Sequence, residues 1–511
     1  MVIKFDKKRR RLFVIILSLL VILGCSVRNF ILTNERETFT LQDEKNKNEY
    51  TIDVIYDDET NRILCNETLV YINNTKTTLD KIYLHIYPNA FCDENLVPFE
   101  EEEMDKAYPN GFNEGYIDIK NVLDNSNKSN YKIIGEKNDI LEIKLDKLLK
   151  EGQSVKIDVK YNVKLPNCLG RFGYGDNTIN VTNWFPIACV YDDKGWNLKS
   201  YEAIGDPFYS DTSNFNVKLL IPARYKLATT GNIKEKKTDN EKVLYTIEGK
   251  MVRDFAFILS DKFTVNKTKY KDISINTYNL NEDMGKEAVD VSQSSIEIFS
   301  KLFGDYPYDT YSVVASDFFI GGMEYPMLVM IDESLYNNEN KFLLEYVIAH
   351  ETAHQWWYSV VGNDEISEPW LDEALTEYST ILYFEEKYGK ETGDKLMKTM
   401  EVQTKNYNTN DIFKATTDYK DSSEYSLSVY TKGAVIFDKI RKEEDIQSKN
   451  DYIHEKLEEV QNKTAFLLDY GFNSLREYYN TYKFKNVNGP QFVELWKSKG
   501  VDIEKIINNY K

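Results

Sequence analysis

Two of the 4 histidines in this 511-residue chain lie four positions apart, in His350-Glu351-Thr352-Ala353-His354. Positions i and i+4 share one face of a helix, so both imidazoles can converge on a single metal ion while Glu351 stands beside it as a base. Chance places such a string in only roughly a few per thousand chains of this length and histidine content. Neutral imidazoles suit Zn2+, and a catalytic zinc takes three protein ligands and keeps one position for water. The third donor must come from another element. Glu373, in the first turns of the next predicted helix, is the candidate.

Periodicity predicts the elements that carry these residues. Leu343, Val347, His350, His354 and Trp357 fall at 4, 3, 4 and 3 spacing, which predicts a helix from Phe342 to Val361 whose buried face bears the histidines and which Gly362-Asn363 stops. Ser367-Glu368-Pro369-Trp370 opens a second helix, running to Tyr388, with Pro in its first turn and Leu371, Ala374, Leu375 and Tyr378 on its core face. Asp372 and Glu377 flank Glu373 and are candidates to hydrogen-bond the ligands from behind. A further helical pattern covers Leu475 to Tyr482.

From about Tyr50 to Tyr278 the pattern is different. Short β-type runs at 69–72, 82–86, 140–143, 155–159, 217–221 and 243–247 are separated by Asn, Gly and Pro clusters. A short run at 312–315 adds a strand ahead of Gly321-Gly322. The expected organisation is a signal segment over 1–24, a linker over 25–48, a β domain over 49–262, a catalytic domain over 263–440 and its helical completion over 441–511.

Composition excludes several classes. Hydrophobic residues make up 42% and charged residues 29%, with 23 Gly and 11 Pro, which argues against a collagen-like, wholly disordered or polytopic membrane chain. A net charge of -19 repels phosphate backbones, so no nucleic-acid partner is expected. The acidic run Glu100 to Glu103 reads as a solvated face. Cys65, Cys92, Cys168 and Cys189 allow three disulfide pairings or none.

The first residues read as an export segment. Lys4, Lys7, Lys8, Arg9, Arg10 and Arg11 precede the apolar run from Leu12 to Leu23, which at about 1.5 Å per residue falls short of the roughly 30 Å hydrocarbon layer. Ile22-Leu23-Gly24-Cys25 resembles a bacterial lipoprotein cleavage box, which implies that Cys25 carries lipid; the alternative is an uncleaved signal anchor. Either way the expected location is the extracytoplasmic face of a cell membrane. Cleavage would remove six basic residues and Asp6, making the body more acidic still.

His350, Glu351, His354 and Glu373 together resemble the gluzincin pattern of the membrane alanyl aminopeptidase family of zinc metallopeptidases. His354-Gln355-Trp356-Trp357 and Trp370-Leu371-Asp372-Glu373-Ala374 are similar to that family as well. Gly321-Gly322-Met323-Glu324-Tyr325 resembles its Gly-x-Met-Glu-Asn motif, Tyr430-Thr431-Lys432-Gly433-Ala434 its Tyr-x-Lys-Gly element, and the text from Leu84 to Phe91 extends a weaker likeness. The resemblance implies a multi-domain chain: a mostly β, saddle-like or sandwich N-terminal domain, then a thermolysin-like, mainly helical α+β zinc catalytic domain. It implies one Zn2+ on His350, His354 and Glu373, Glu351 as general base, Tyr430 as oxyanion donor, and Gly321, Gly322, Met323 and Glu324 binding a peptide with a free N-terminus. A second amine-binding residue is expected between Trp184-Phe185-Pro186 and Gly205-Asp206-Pro207-Phe208. Two departures stand out. Tyr325 replaces the motif's Asn, and the chain ends without the large helical C-terminal domain of many relatives, which implies a more open cleft. The expected activity is removal of N-terminal residues from peptides at the cell surface; the alternatives are a zinc endopeptidase of the same fold and an inactive peptide-binding lipoprotein.

Overall fold

The computed structural model describes residues 38–239, 241–281, 284–406, 411–444 and 473–508. The expected export segment and Cys25 lie outside them. Among the described residues no helix is long and apolar enough to cross a membrane.

Alternation builds the first half. In the strand Glu49–Asp57, Tyr50, Ile52, Val54 and Tyr56 are buried and their neighbours are not, the period-two signature of a sheet with one face on a core. That strand is parallel to Ser213–Pro222 and antiparallel to Arg62–Ile72 inside an eight-stranded sheet, and two four-stranded sheets accompany it. The predicted β runs fall in Arg62–Ile72, Leu79–His85, Ile140–Leu149, Ser154–Lys164, Ser213–Pro222 and Lys242–Val252, with Ile86 one residue past its strand. All four described cysteines are free thiols, so none of the possible pairings forms.

His85 is buried here, stacked on Tyr87 with ring centroids 4.7 Å apart, and burial pushes its imidazole down from 6.5 to about 3. A depressed histidine stabilises the fold fully above its unfolded value. That contribution is lost at about 1.4 kcal/mol per pH unit as pH falls from the unfolded toward the folded value. Unfolding free energy measured across this acid range is expected to fall less steeply, by about that slope, in His85→Phe. An unchanged slope would show that His85 is not held neutral.

The second half is organised on a five-stranded mixed sheet in the order Thr264–Tyr270, Ile273–Asn279, Thr310–Ser316, Leu328–Asp332 and Gly322–Met323. The short strand Gly322–Met323 is therefore an edge. Helix α1 (Gly285–Phe303) and helix α2 (Lys341–Ala353) pack together, and α3 (Glu373–Tyr388) packs on both. As expected, Leu371, Ala374, Leu375 and Tyr378 are buried.

The predicted length and face of α2 need correction. The helix stops at Ala353 and does not continue to Val361, so His354 caps it. Leu343 is 46% exposed and Val347 half-buried, while Leu344, Ile348, Ala349 and Thr352 face the core. The reason is the tryptophan pair. Trp356 donates its indole N–H to Gly304 O at 2.9 Å and Trp357 to Ser379 Oγ at 2.8 Å, and both bury only because the chain leaves the helix in tight turns. Spacing alone matched Trp357 to a stripe that the helix does not extend to.

The final described helices, Asn473–Tyr482, Gly489–Ser498 and Ile503–Asn508, follow the expected helical character of this region. Leu475, Tyr478, Phe492 and Trp496 join the same continuous core. Buried Arg253 stitches the regions together, donating to Ser210 O and Tyr358 O at 2.7 Å and to Lys485 O at 2.6 Å. Gly362 leaves it room, since a Cβ there would lie 2.3 Å from the Arg253 guanidinium carbon.

Candidate metal centre and active site

α2 supplies His350, Glu351 and His354, and α3 supplies Glu373 as its first residue, behind a Pro369–Leu371 turn. His350 Nε2 and His354 Nε2 are 3.2 Å apart, and each is 3.3 Å from Glu373 Oε2. All three side chains are buried. Each Nδ1 is held from behind: His354 by Asp372 Oδ1 at 2.6 Å, His350 by Glu377 Oε2 at 3.0 Å. With Nδ1–H engaged by a carboxylate, Nε2 presents its lone pair to the shared centre. Two imidazoles and one carboxylate converging in a buried site fit Zn2+.

Electrostatics favours a cation. Burial opposes charge on His350, yet its hydrogen bonds to Glu373 and Glu377 prevail and carry it up to about 10; His354 is raised against burial by Asp372, Glu324 and Glu373. The surrounding carboxylates thus make protons compete with a metal for these imidazoles, so ligation weakens as pH falls. Replacing Asp372 by Ala removes the carboxylate that orients His354, and is expected to weaken zinc affinity by about 10–100-fold in a chelator competition. Unchanged affinity would show that Asp372 does not set the ligand.

Glu351 is buried, with Oε2 lacking a protein partner. The edge strand passes directly over it: a Cβ on Gly322 would sit 2.1 Å from Glu351 Oε1. Gly322 and Met323 pair with Ile331 and Met330 on one side only. Glu324 follows, buried, with Oε1 unpartnered. Its carboxylate lies within 4.8 Å of Glu351 and His354, and also of Asp206 and Glu373. Tyr325 does not displace Glu324 from the site. Its hydroxyl lies 2.7 Å from Thr182 Oγ1 and 3.0 Å from Asn183 Oδ1, anchoring the segment to the β half.

Tyr430 sits on a π-helical turn, Ser426–Lys432, a form common at functional sites. Its ring stacks on His350 at 5.7 Å and 17°. Gly433 permits this approach, because a Cβ there would be 2.3 Å from that of Ala374 on α3.

Three further residues of the site are not marked by the sequence motifs. Asp206, from the Gly205–Phe208 stretch, enters the site paired with Arg171 Nη2. Glu365 is buried with its carboxylate within 4.8 Å of Glu324 and Asp372. No spacing signal marks Arg171, whose partner Asp206 lies 35 residues on, or Glu365, which reaches Glu324 only in the folded chain.

A model of the peptidase family M1 domain matches residues 287–510. That stretch carries a peptidase family M1 domain. Aminopeptidase 2 of Candida albicans is 29% identical over 180 residues, covering 32% of this chain and 19% of that protein. Aminopeptidase M1-B of Oryza sativa subsp. japonica is 33% identical over 112 residues, covering 20% and 13%. The M1 match thus spans less than a fifth of the length of either relative. The M1 zinc metallopeptidase of Deinococcus radiodurans superposes with a TM-score of 0.63 at 15% identity, covering 91% of this chain and 92% of that one. A solved mutant of it bound to Tyr-Ser-Ala gives 0.62 at 14%, covering 91% and 94%. The expected order of a mostly β domain followed by a helical M1 domain is the order found.

Proposed function

We propose that this protein is a zinc-dependent aminopeptidase that removes N-terminal residues from peptides at the outer face of a cell membrane. The observation that carries the reading is the buried Glu324 carboxylate, its Oε1 without a protein partner, beside Glu351 and Asp206, a site complementary to a free α-ammonium. Tyr325 does not favour the endopeptidase alternative, since its hydroxyl bonds in the β half and Glu324 stays at the centre.

Zn2+ on His350, His354 and Glu373 would polarise the scissile carbonyl and acidify water. Glu351 takes the proton of the attacking water and returns it to the leaving nitrogen. The Tyr430 hydroxyl donates to the oxygen on which charge develops. The free edge of Gly322–Met323 offers backbone groups to an extended peptide, and Glu324 with Asp206 holds its ammonium.

The test compares an aminoacyl chromogenic amide with its N-acetylated form, with and without chelator. Hydrolysis of the free form alone, abolished by chelation and restored by Zn2+, is the expected result; hydrolysis of the blocked form alone would mark an endopeptidase. A folded, zinc-free protein without turnover would mark a binding module. For location, Cys25→Ser is expected to abolish incorporation of labelled fatty acid, and retained label would sink the lipid anchor.

A further inference from the structure

The cavity beside the metal centre has a lining that selects its occupant. We propose that it receives the first side chain of the peptide and that this side chain is long and cationic, arginine before lysine. The inference rests on the aminopeptidase reading and adds the substrate class.

The placement follows from connectivity. In that reading the first α-carbon lies between an ammonium held at Glu324 and Asp206 and a carbonyl facing Tyr430. A cavity of about 330 Å³ is lined by both Asp206 and Tyr430, so a side chain on that α-carbon enters it. Its walls are aromatic and come from both domains: Phe91, Phe99 and Tyr201 from the β half, Tyr425 beside Tyr430, with half-exposed Ile320 ahead of the edge strand. Phe91 meets Phe99 at 6.1 Å and Tyr201 at 5.8 Å, both edge-on, and Tyr425 meets Tyr430 edge-on at 5.7 Å. Ring faces set at angles attract a cation and accept the flat guanidinium group by stacking.

The charges point the same way. Three charged side chains line the cavity: Arg171, Asp206 and Glu103. Arg171 pairs with Asp206 and lies 3.4 Å from the Tyr201 hydroxyl, so its charge is balanced within the wall. Glu103 remains as the net negative charge. Its carboxylate is fixed, because Oε2 accepts the Glu100 N–H at 3.1 Å. Glu100 in turn accepts the Ser422 N–H of the M1 domain at 3.3 Å, tying this acidic turn to a residue that lines the same cavity. Of the run expected to be a solvated face, Glu101 and Glu102 are exposed while Glu100 and Glu103 are half-buried. A carboxylate held in the wall of a cavity with five aromatic lining residues matches a guanidinium on a flexible stem.

Glu103→Gln keeps an acceptor for the Glu100 cap and removes the charge. The experiment measures kcat/KM for the arginyl, lysyl, phenylalanyl and alanyl amides with the wild-type protein and this variant. The expected result is arginyl ahead of phenylalanyl and alanyl in the wild type, with losses of about tenfold or more for arginyl and lysyl in the variant, as for a lost charge-assisted hydrogen bond, and changes within about twofold for the neutral pair. Phenylalanyl ahead of arginyl, or equal losses on all four, would overturn the cationic assignment while leaving the aminopeptidase reading intact. Cleavage of none of the four would overturn the aminopeptidase reading and this inference with it.

Discussion

Glu351→Gln is expected to keep its zinc and to lose turnover by about 10²–10⁴-fold, the range for removing a positioned general base. The side chain stands between the two histidine ligands on α2 but outside the converging set of His350, His354 and Glu373. Burial raises its carboxyl, partly offset by His350 and His354, which moves it toward the pH at which a base can both accept and return a proton. Glutamine has the same shape under Gly322 and cannot accept that proton. The measurement is kcat at saturating substrate together with zinc content. Full kcat would refute the base, and loss of zinc would mean that Glu351 supports the metal instead.

The second large effect is at Tyr430. Burial raises its hydroxyl well above 10, so at neutral pH it remains a donor and not a phenolate, as oxyanion stabilisation requires. Tyr430→Phe retains the ring that stacks on His350 and deletes only the donor. kcat should fall by about 10²–10³-fold with KM little changed. A KM effect alone would make Tyr430 a binding residue, and an unchanged kcat would remove it from the chemistry.

The parts of the site legible in the sequence are those whose partners are near in the chain. His350 and His354 share a helical face at four residues' separation, and Glu373 opens the next helix, as the structure bears out. The β strands were legible for the same reason, because alternation is a local property. The end of α2 was not. His354, Trp356 and Trp357 continue a helical count, but the burial of two indoles against Gly304 and Ser379, which are distant in sequence, ends the helix at Ala353. The place of Tyr325 was not legible by itself. The sequence shows only that it replaces the motif's Asn, and its hydrogen bonds to residues 182 and 183 reveal an anchor that leaves Glu324 in the site.

The sequence by itself determined the spacing of His350, Glu351 and His354, the likeness of its second half to an M1 domain and the order of a β half and a helical half. Tertiary structure alone decided which imidazole each of Asp372 and Glu377 holds, that Asp206 enters the centre balanced by Arg171, and that Glu103 of the acidic turn lines a cavity shared by both domains. The physical reason is range. Helical and strand periodicity couple residues two to four positions apart, whereas charge pairing and cavity walls join side chains that only the packing of the two halves brings within a few ångströms.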